Sequence, residues 1–329
     1  MEPLRITIAC GDYDRTLPLR DGRVKPQRID LNYIVMEPSR LFPEMLRFKS
    51  FEASELSLSA YLATLCRPAP PFIAMPIFPL RSFRHSNLYV RDDSGIERAG
   101  DLKGKRVGIH DYFSTAAIWI RGFLEHDYGV APKEVRWHTG ALESGKHGSY
   151  RSFSCPDGVC VEEIPPEKNL NDMLLRGELD ALVSLPIPSS FAAGAPNVKR
   201  LFPNYKETEK EYYLKTKVIP IMHILVLRRD IYERHPWVAS CLTEAFEEAE
   251  RLCFRSLRQS SAPRYPLHWF LAEVEEEQRI FGEGLWPQGI EANRLTLETL
   301  IRYAFEQGAI DRLLSLHELF APNTLERAA

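Results

Sequence analysis

The chain has 329 residues, 44% of them hydrophobic, a length above the usual limit of a single core, so two lobes are expected. Lys and Arg number 42 against 45 Asp and Glu, a formal charge of −3, and no basic block stands out, which argues against a nucleic-acid partner. No stretch approaches the roughly 20 apolar residues of a membrane helix, so no membrane partner is expected either.

The N-terminus runs straight into a predicted strand, Leu4–Cys10, with no basic n-region and no apolar h-region, and a cytoplasmic location is expected. That strand ends on Gly11-Asp12. Ile29–Val35 reads as a second strand, Leu41–Phe48 as a helix, Ala53–Leu58 as a buried strand and Ser59–Cys66 as the start of another helix. After Pro-rich text come strands near Ile73–Ile77 and Asn87–Val90. Further strands are predicted at Arg106–Ile109, Val135–His138 and Asp180–Ser184, with helices over Thr115–His126 and Leu170–Arg176, the latter closed by Gly177. Ile221–Leu227 is a late strong strand, followed by helices over Pro236–Leu257, Trp269–Phe281 and Ala292–Gln307. Strands alternating with helices predict an α/β protein with mainly parallel sheets flanked by helices. A late strand after an inserted α/β block predicts two crossings, near Leu88–Arg91 and His223–Leu227. The expected lobes are therefore 1–90 with 223–329, and an inserted 91–222.

The six cysteines, at 10, 66, 155, 160, 241 and 253, lack metal-ligand spacing and are expected as reduced thiols. Gly140-Ala141-Leu142-Glu143-Ser144-Gly145-Lys146 matches the start of a phosphate-binding loop, but His147 stands where Ser or Thr would hold Mg²⁺. No HExxH, GxSxG or strand-following GxGxxG is present. The acidic run Glu273–Glu277 is read as the wet face of a helix.

In parallel α/β sheets ligands sit at the carboxyl ends of strands. Those ends deliver Asp12, Tyr13 and Arg15 after the first strand, Ser57 and Ser59 after the third, Tyr112, Ser114 and Thr115 in the inserted lobe, and Ser184 after its last strand. Ser114 and Thr115 suit a helix N-cap and an anion alike. Arg15, Arg81 and Arg84 have the fork that matches carboxylates, although each also suits a surface ion pair. His85 and His223 fall at the two crossings, where a histidine is either a satisfied core group or a proton carrier.

Longer segments carry a family likeness. GDYDRTLPLRDGRV at 11–24, ELSLSAYL at 55–62, FPLRSFRHSNLYV at 78–90, DLKGKRVGIHDYFSTAAIWIRGFL at 101–124 and YYLKTKVIPIMH at 212–223 resemble the 4,5-dihydroxyphthalate decarboxylase family, as do stretches to residue 308. The resemblance implies a type II periplasmic-binding-protein-like fold with a cleft between lobes. It also implies cofactor-independent loss of CO₂ from a small anionic aromatic such as 4,5-dihydroxyphthalate, giving 3,4-dihydroxybenzoate. On that reading a base takes the hydroxyl proton para to the leaving carboxylate and an acid protonates the carbon that bears it. Imidazole, ordinarily titrating near ~6.5, suits the acid, with His85 and His223 as candidates. Asp12 or Tyr13 would orient or accept the phenolic proton, and Arg15 and Arg84 would clamp the retained carboxylate. A solute-binding protein for a small carboxylate, or another lyase such as a dehydratase, would use the same fold. No cofactor and no metal is expected, and a homo-oligomer is left open.

Overall fold

In a computed structural model, residues 2–144, 155–258, 261, 265–282 and 284–325 are described. The last two residues of the Gly140–Lys146 loop, Gly145 and Lys146, and His147 lie outside them.

The chain divides into two compact units. The first comprises Met1–Arg81, His223–Leu297 and Leu314–Ala329, and the second Ser82–Met222 and Glu298–Leu313. The expected lobes differ from these units in two segments. Residues 82–90 belong to the second unit because Leu88–Arg91 hydrogen-bonds into its sheet. Residues 298–313 belong there as well, although they follow the last expected crossing.

Eleven strands were found among the described residues: β1 Leu4–Cys10, β2 Ile29–Val35, β3 Ala53–Ser57, β4 Phe72–Met75, β5 Leu88–Arg91, β6 Arg106–Ile109, β7 Arg136–Thr139, β8 Cys160–Glu163, β9 Ala181–Val183, β10 Val198–Arg200 and β11 His223–Arg228. The first unit holds a sheet in the order β2-β1-β3-β11-β4, and the second a sheet in the order β10-β5-β9-β6-β7-β8. β1 runs parallel to β2 and β3, whereas β11 is antiparallel to both β3 and β4. In the second sheet β5 is the reversed strand, antiparallel to β9 and β10. The sheets are mainly parallel, as expected, and each is made mixed by one reversed strand at its interior.

β3, β4 and β9 and most of β5, β6 and β11 are buried on both faces, as parallel-sheet strands tend to be, whereas β2 and β8 are mostly half-buried or exposed. In the first unit Ile6, Ile8, Leu225 and Leu227 pack against Val238, Leu242 and Phe246 of helix Trp237–Leu257. In the second, Tyr89 and Leu182 pack with Leu170 and Leu174 of helix Leu170–Arg176. That helix ends where expected, on Gly177 at φ 77°, which costs glycine little. Helix Tyr205–Thr216 was not expected, since Tyr212 is its one buried residue and leaves no apolar periodicity to read. β8 and β10, four and three residues long, escaped for the same reason.

The segment Glu298–Leu313 is held by close packing within the second unit. The Tyr303 ring lies across Gly122 of helix Thr115–His126, so a Cβ built there would sit 2.0 Å from the ring. Tyr303 also meets Trp119 edge-on at 5.7 Å, and Gln307 Nε2 donates to the Ile118 carbonyl at 3.0 Å. Gly122→Ala would gain up to about 1 kcal/mol of helix propensity but overpack the ring at a cost of about 1–3 kcal/mol. A net loss of thermal stability in Gly122→Ala, which disappears when the same substitution is made in a Tyr303→Ala background that is itself destabilised, is the expected result of melting the single and double variants.

Candidate active site

Glu55 is the middle residue of β3, a strand buried along its whole length, and the carboxylate itself is inaccessible to water. An ionised group there is costly unless every lone pair is used. Four donors use them. The β1–β3 register continues from Ala9 opposite Ser54 to the end of β1, where Gly11 N donates to Oε2 at 2.7 Å and Cys10 Sγ lies 3.3 Å from the same oxygen. Tyr13 Oη donates to Oε1 at 2.7 Å. The first residue of β11, His223, pairs with Ser57 across the sheet, and its Nδ1 meets Oε1 at 2.5 Å. Burial by itself would raise the pKa of Glu55. The neighbouring His223, the Gly11 N–H and the Tyr13 hydroxyl outweigh it and hold the carboxyl below its ordinary range.

The surroundings fix these groups. Phe42 presents its edge to the His223 ring at 4.9 Å, and Ser57 and Ser59, both buried, bring their Oγ atoms within 3.3 Å of each other. Gly11 must lack a side chain because a Cβ would come within 2.6 Å of the Tyr13 ring. Burial, and then the Glu55 charge, push the Tyr13 phenol far above its ordinary range, so it stays protonated and donates. The expectation that Tyr13 takes a phenolic proton is corrected on that ground.

Other expected residues serve elsewhere. Asp12 turns outward and pairs with Arg20 at 2.5 Å, exposed. The Arg15 guanidinium is layered between Tyr13, at 4.1 Å, and Trp286, at 4.3 Å. Its Nε donates to the Pro79 carbonyl at 2.7 Å and Nη1 to Asp14 at 3.3 Å, so it braces the loop instead of clamping a ligand. Arg81 is buried, with Nη1 on Asn293 Oδ1 at 2.6 Å and Nη2 on the Pro287 carbonyl, and burial pulls its pKa down to about 10.

In the second unit, Ser114 caps helix Thr115–His126 by accepting from Ala117 N at 3.3 Å, and Thr115 is buried as its first residue. Tyr112 is buried under the Arg121 guanidinium, 3.5 Å from its ring centroid, and its carbonyl accepts from Arg121 Nη1 at 2.6 Å. Ser184 Oγ donates to the Pro186 carbonyl at 2.6 Å. Arg84 differs from Arg15 and Arg81. Its Nε faces the Met222 sulfur at 3.4 Å, no carboxylate lies within 4.0 Å of it among the described residues, and burial lowers its pKa to about 10 despite Glu209 nearby. An under-compensated guanidinium of this kind suits an anion.

His85 is 1% exposed, stacked on Phe123 at 4.2 Å and edged by Phe202 and Tyr212. Burial pushes its pKa down to about 4, with Asp127 pulling weakly the other way, so it is neutral at pH 7. The expectation that His85 donates a proton is corrected: it is an aromatic-core residue. Among the described residues, the group whose ligand atoms could hold a metal is Glu125, His126 and Glu306, within 4.8 Å of one another near the surface of the second unit.

Two reversed-strand α/β units of this construction define the periplasmic-binding-protein-like class, here with a buried carboxylate–imidazole pair in the first unit. Solved structures agree on the fold: the periplasmic aliphatic sulphonate binding protein SsuA of Escherichia coli is 14% identical, with 99% of this chain and 100% of that one covered at a TM-score of 0.55. The desulfurization enzyme DSZB is 16% identical, with 98% and 97% covered at 0.50. No family model matches the chain. A curated relative, the 4,5-dihydroxyphthalate decarboxylase of Comamonas testosteroni, is 35% identical over 326 residues, 99% of each chain. A second, from Pseudomonas putida and of the same name, is 38% identical over 213 residues, 65% of this chain and 83% of that one. The chain belongs to the 4,5-dihydroxyphthalate decarboxylase family. Among the described residues, no helix is long and apolar enough to cross a membrane.

One part of the pH dependence of stability follows from His85, alongside Glu209 and Glu250, whose pKa values burial raises to about 7. The folded pKa of His85 is depressed, to about 4 from ~6.5 when unfolded, so its contribution is fully present above pH ~6.5 and is lost as pH falls toward 4. His85→Phe should shrink the loss of unfolding free energy between pH 7 and pH 4.5 by roughly 2 kcal/mol, and leave turnover intact. Chemical denaturation at the two pH values, with an activity assay, checks both.

Proposed function

We propose that this chain removes one carboxylate from 4,5-dihydroxyphthalate as CO₂, with His223 as the proton donor to the ring. The observation that carries the reading is the His223–Glu55 pair, a placed imidazole on a buried carboxylate, in a chain that matches a decarboxylase of that name over 99% of its length. With Nδ1 committed to Glu55, Nε2 is the nitrogen left to face a substrate.

The chemistry asks for an acid at the carbon that carries the leaving group. The para hydroxyl gives its proton to solvent, and the electron-rich ring that results takes the Nε2 proton at that carbon. The C–C bond to the carboxylate then breaks, its electron pair restores the aromatic ring, and CO₂ departs. Positioned acid catalysis contributes about 10²–10⁴-fold, and electrostatic stabilisation of the charged ring supplies more. Arg84 is our candidate for an anionic group of the substrate, supported by its lack of a carboxylate partner. Ser57 and Ser59 neighbour His223 at the end of β3 and are candidates for substrate hydroxyls. We also propose a cytoplasmic location, which the six free thiols suit.

Purified protein mixed with 4,5-dihydroxyphthalate should release CO₂, with EDTA as the control for a metal requirement. His223→Gln should lower kcat by about 10²-fold or more with KM little changed, because shape is kept and the proton is lost. Wild-type rates in that variant would remove His223 as the acid. Tight binding with no CO₂ would favour a binding protein.

Arg84→Ala should weaken substrate binding by about 1.5–3 kcal/mol, the worth of a charged hydrogen bond, and Arg84→Lys should restore part of it. Calorimetric titration with substrate or product reads the difference, and unchanged affinity would exclude Arg84 from the anion site.

A further inference from the structure

We infer that Glu55 is a positioning residue for this reaction: its carboxylate holds His223 with a proton on Nδ1, so that the proton delivered to the ring leaves from Nε2, and Tyr13, Gly11 and Cys10 keep the carboxylate charged after the imidazole has become neutral. This rests on His223 being the proton donor.

The geometry is specific about where protons can go. A carboxylate has about four lone-pair positions. Oε1 accepts from Tyr13 Oη at 2.7 Å and from His223 Nδ1 at 2.5 Å, while Oε2 accepts from Gly11 N at 2.7 Å and faces Cys10 Sγ at 3.3 Å. A buried carboxylate whose sole partner was an imidazolium would be left uncompensated when that imidazolium gave up its proton. It would then draw the Nδ1 proton onto itself and release the ring from its orientation. Here three donors remain after the transfer. The Nδ1–H therefore stays on nitrogen, the neutral tautomer is defined, and Nε2 is ready to be protonated again from solvent. In the transfer itself the Nε2–H bond breaks and a ring C–H bond forms. The carbon–carboxylate bond then breaks to give CO₂, and Glu55 starts and ends as the same anion.

The donors are themselves held. Tyr13 carries the Arg15 guanidinium on its ring at 4.1 Å, with Trp286 on the far side at 4.3 Å, which fixes where its hydroxyl points. Gly11 N–H is rigid because it belongs to the backbone leaving β1, and its missing side chain is what admits the Tyr13 ring.

The test uses the full chain labelled with ¹⁵N-histidine, with ¹H–¹⁵N spectra across pH and steady-state CO₂ release on the same samples. In the unmutated protein the neutral form of His223 should be the Nδ1–H tautomer. In Glu55→Gln that tautomer should be lost, the His223 titration should move to lower pH, and kcat should fall about 100-fold or more while KM changes little. An Nδ1–H tautomer and titration identical to the unmutated protein in that variant would overturn the inference. Tyr13→Phe is the second variant, in case Glu55→Gln does not fold. It removes one donor from Oε1 without removing the ring, so the carboxylate should hold His223 more strongly and its titration should move to higher pH, and an unmoved titration there overturns the inference as well. If the unmutated protein releases no CO₂, the decarboxylase reading fails on its own, while the tautomer still reports on Glu55.

Discussion

A single buried carboxylate organises the first unit. Glu55 has no access to solvent, and the cost of keeping a charge there is met by groups from two other strands and their ends: Gly11 and Tyr13 just past β1, Cys10 at its end, and His223 at the start of β11. Each tie constrains its neighbours. β1 must run parallel to β3 for Gly11 N to reach Oε2, and β11 must run antiparallel for its first residue to meet Ser57 and the Glu55 side chain. Register, strand direction and chemistry are thus set together, since a slip of one residue would turn Glu55 to the other face of the sheet.

The same principle separates the two histidines that the chain sets near its crossings. His223 has a carboxylate at Nδ1 and is partly open, whereas His85 has rings of Phe123, Phe202 and Tyr212 and no hydrogen-bond partner for either nitrogen. One ring is held at a defined nitrogen by a carboxylate, whereas burial penalises the charged form of the other. The arginines sort in a similar way. Arg15 and Arg81 spend donors on backbone carbonyls, Asn293 or Asp14, and Arg121, buried against Tyr112, gives Nη1 to a backbone carbonyl while its Nε and Nη2 have no hydrogen-bond partner among the described residues; Arg84 meets a thioether. Residue type was no guide to which cation is available to a ligand; the partner was.

The division into units also depends on partners. β5 and β11 are the strands that run against the direction of their sheets, and each takes an interior position, bonded on both edges. The segment Glu298–Leu313 is tied to the second unit by the close approach of Tyr303 over Gly122, the Gln307 bond to Ile118 and the contacts of His126 with Tyr303 and Glu306. None of these leaves a mark in local periodicity.

Much of the fold was legible in the order of residues. Alternation in Leu4–Cys10, the apolar run of Ile221–Leu227 and the helical spacing of Pro236–Leu257 are local patterns, and local patterns survive reading in one dimension. The grouping of Tyr13, Ser57 and His223 at strand ends was legible too, because strand ends are where α/β sheets present side chains. Glu55 was not singled out, although a carboxylate inside a strand read as buried was a signal that something must pair with it. Which of Asp12, Tyr13 and Arg15 turns inward, and which histidine meets a carboxylate, was decided by the tertiary structure alone. Those outcomes depend on contacts between residues some 42 to 168 positions apart, and the energy of burying a charge is fixed by such contacts and by nothing in its own neighbourhood of sequence.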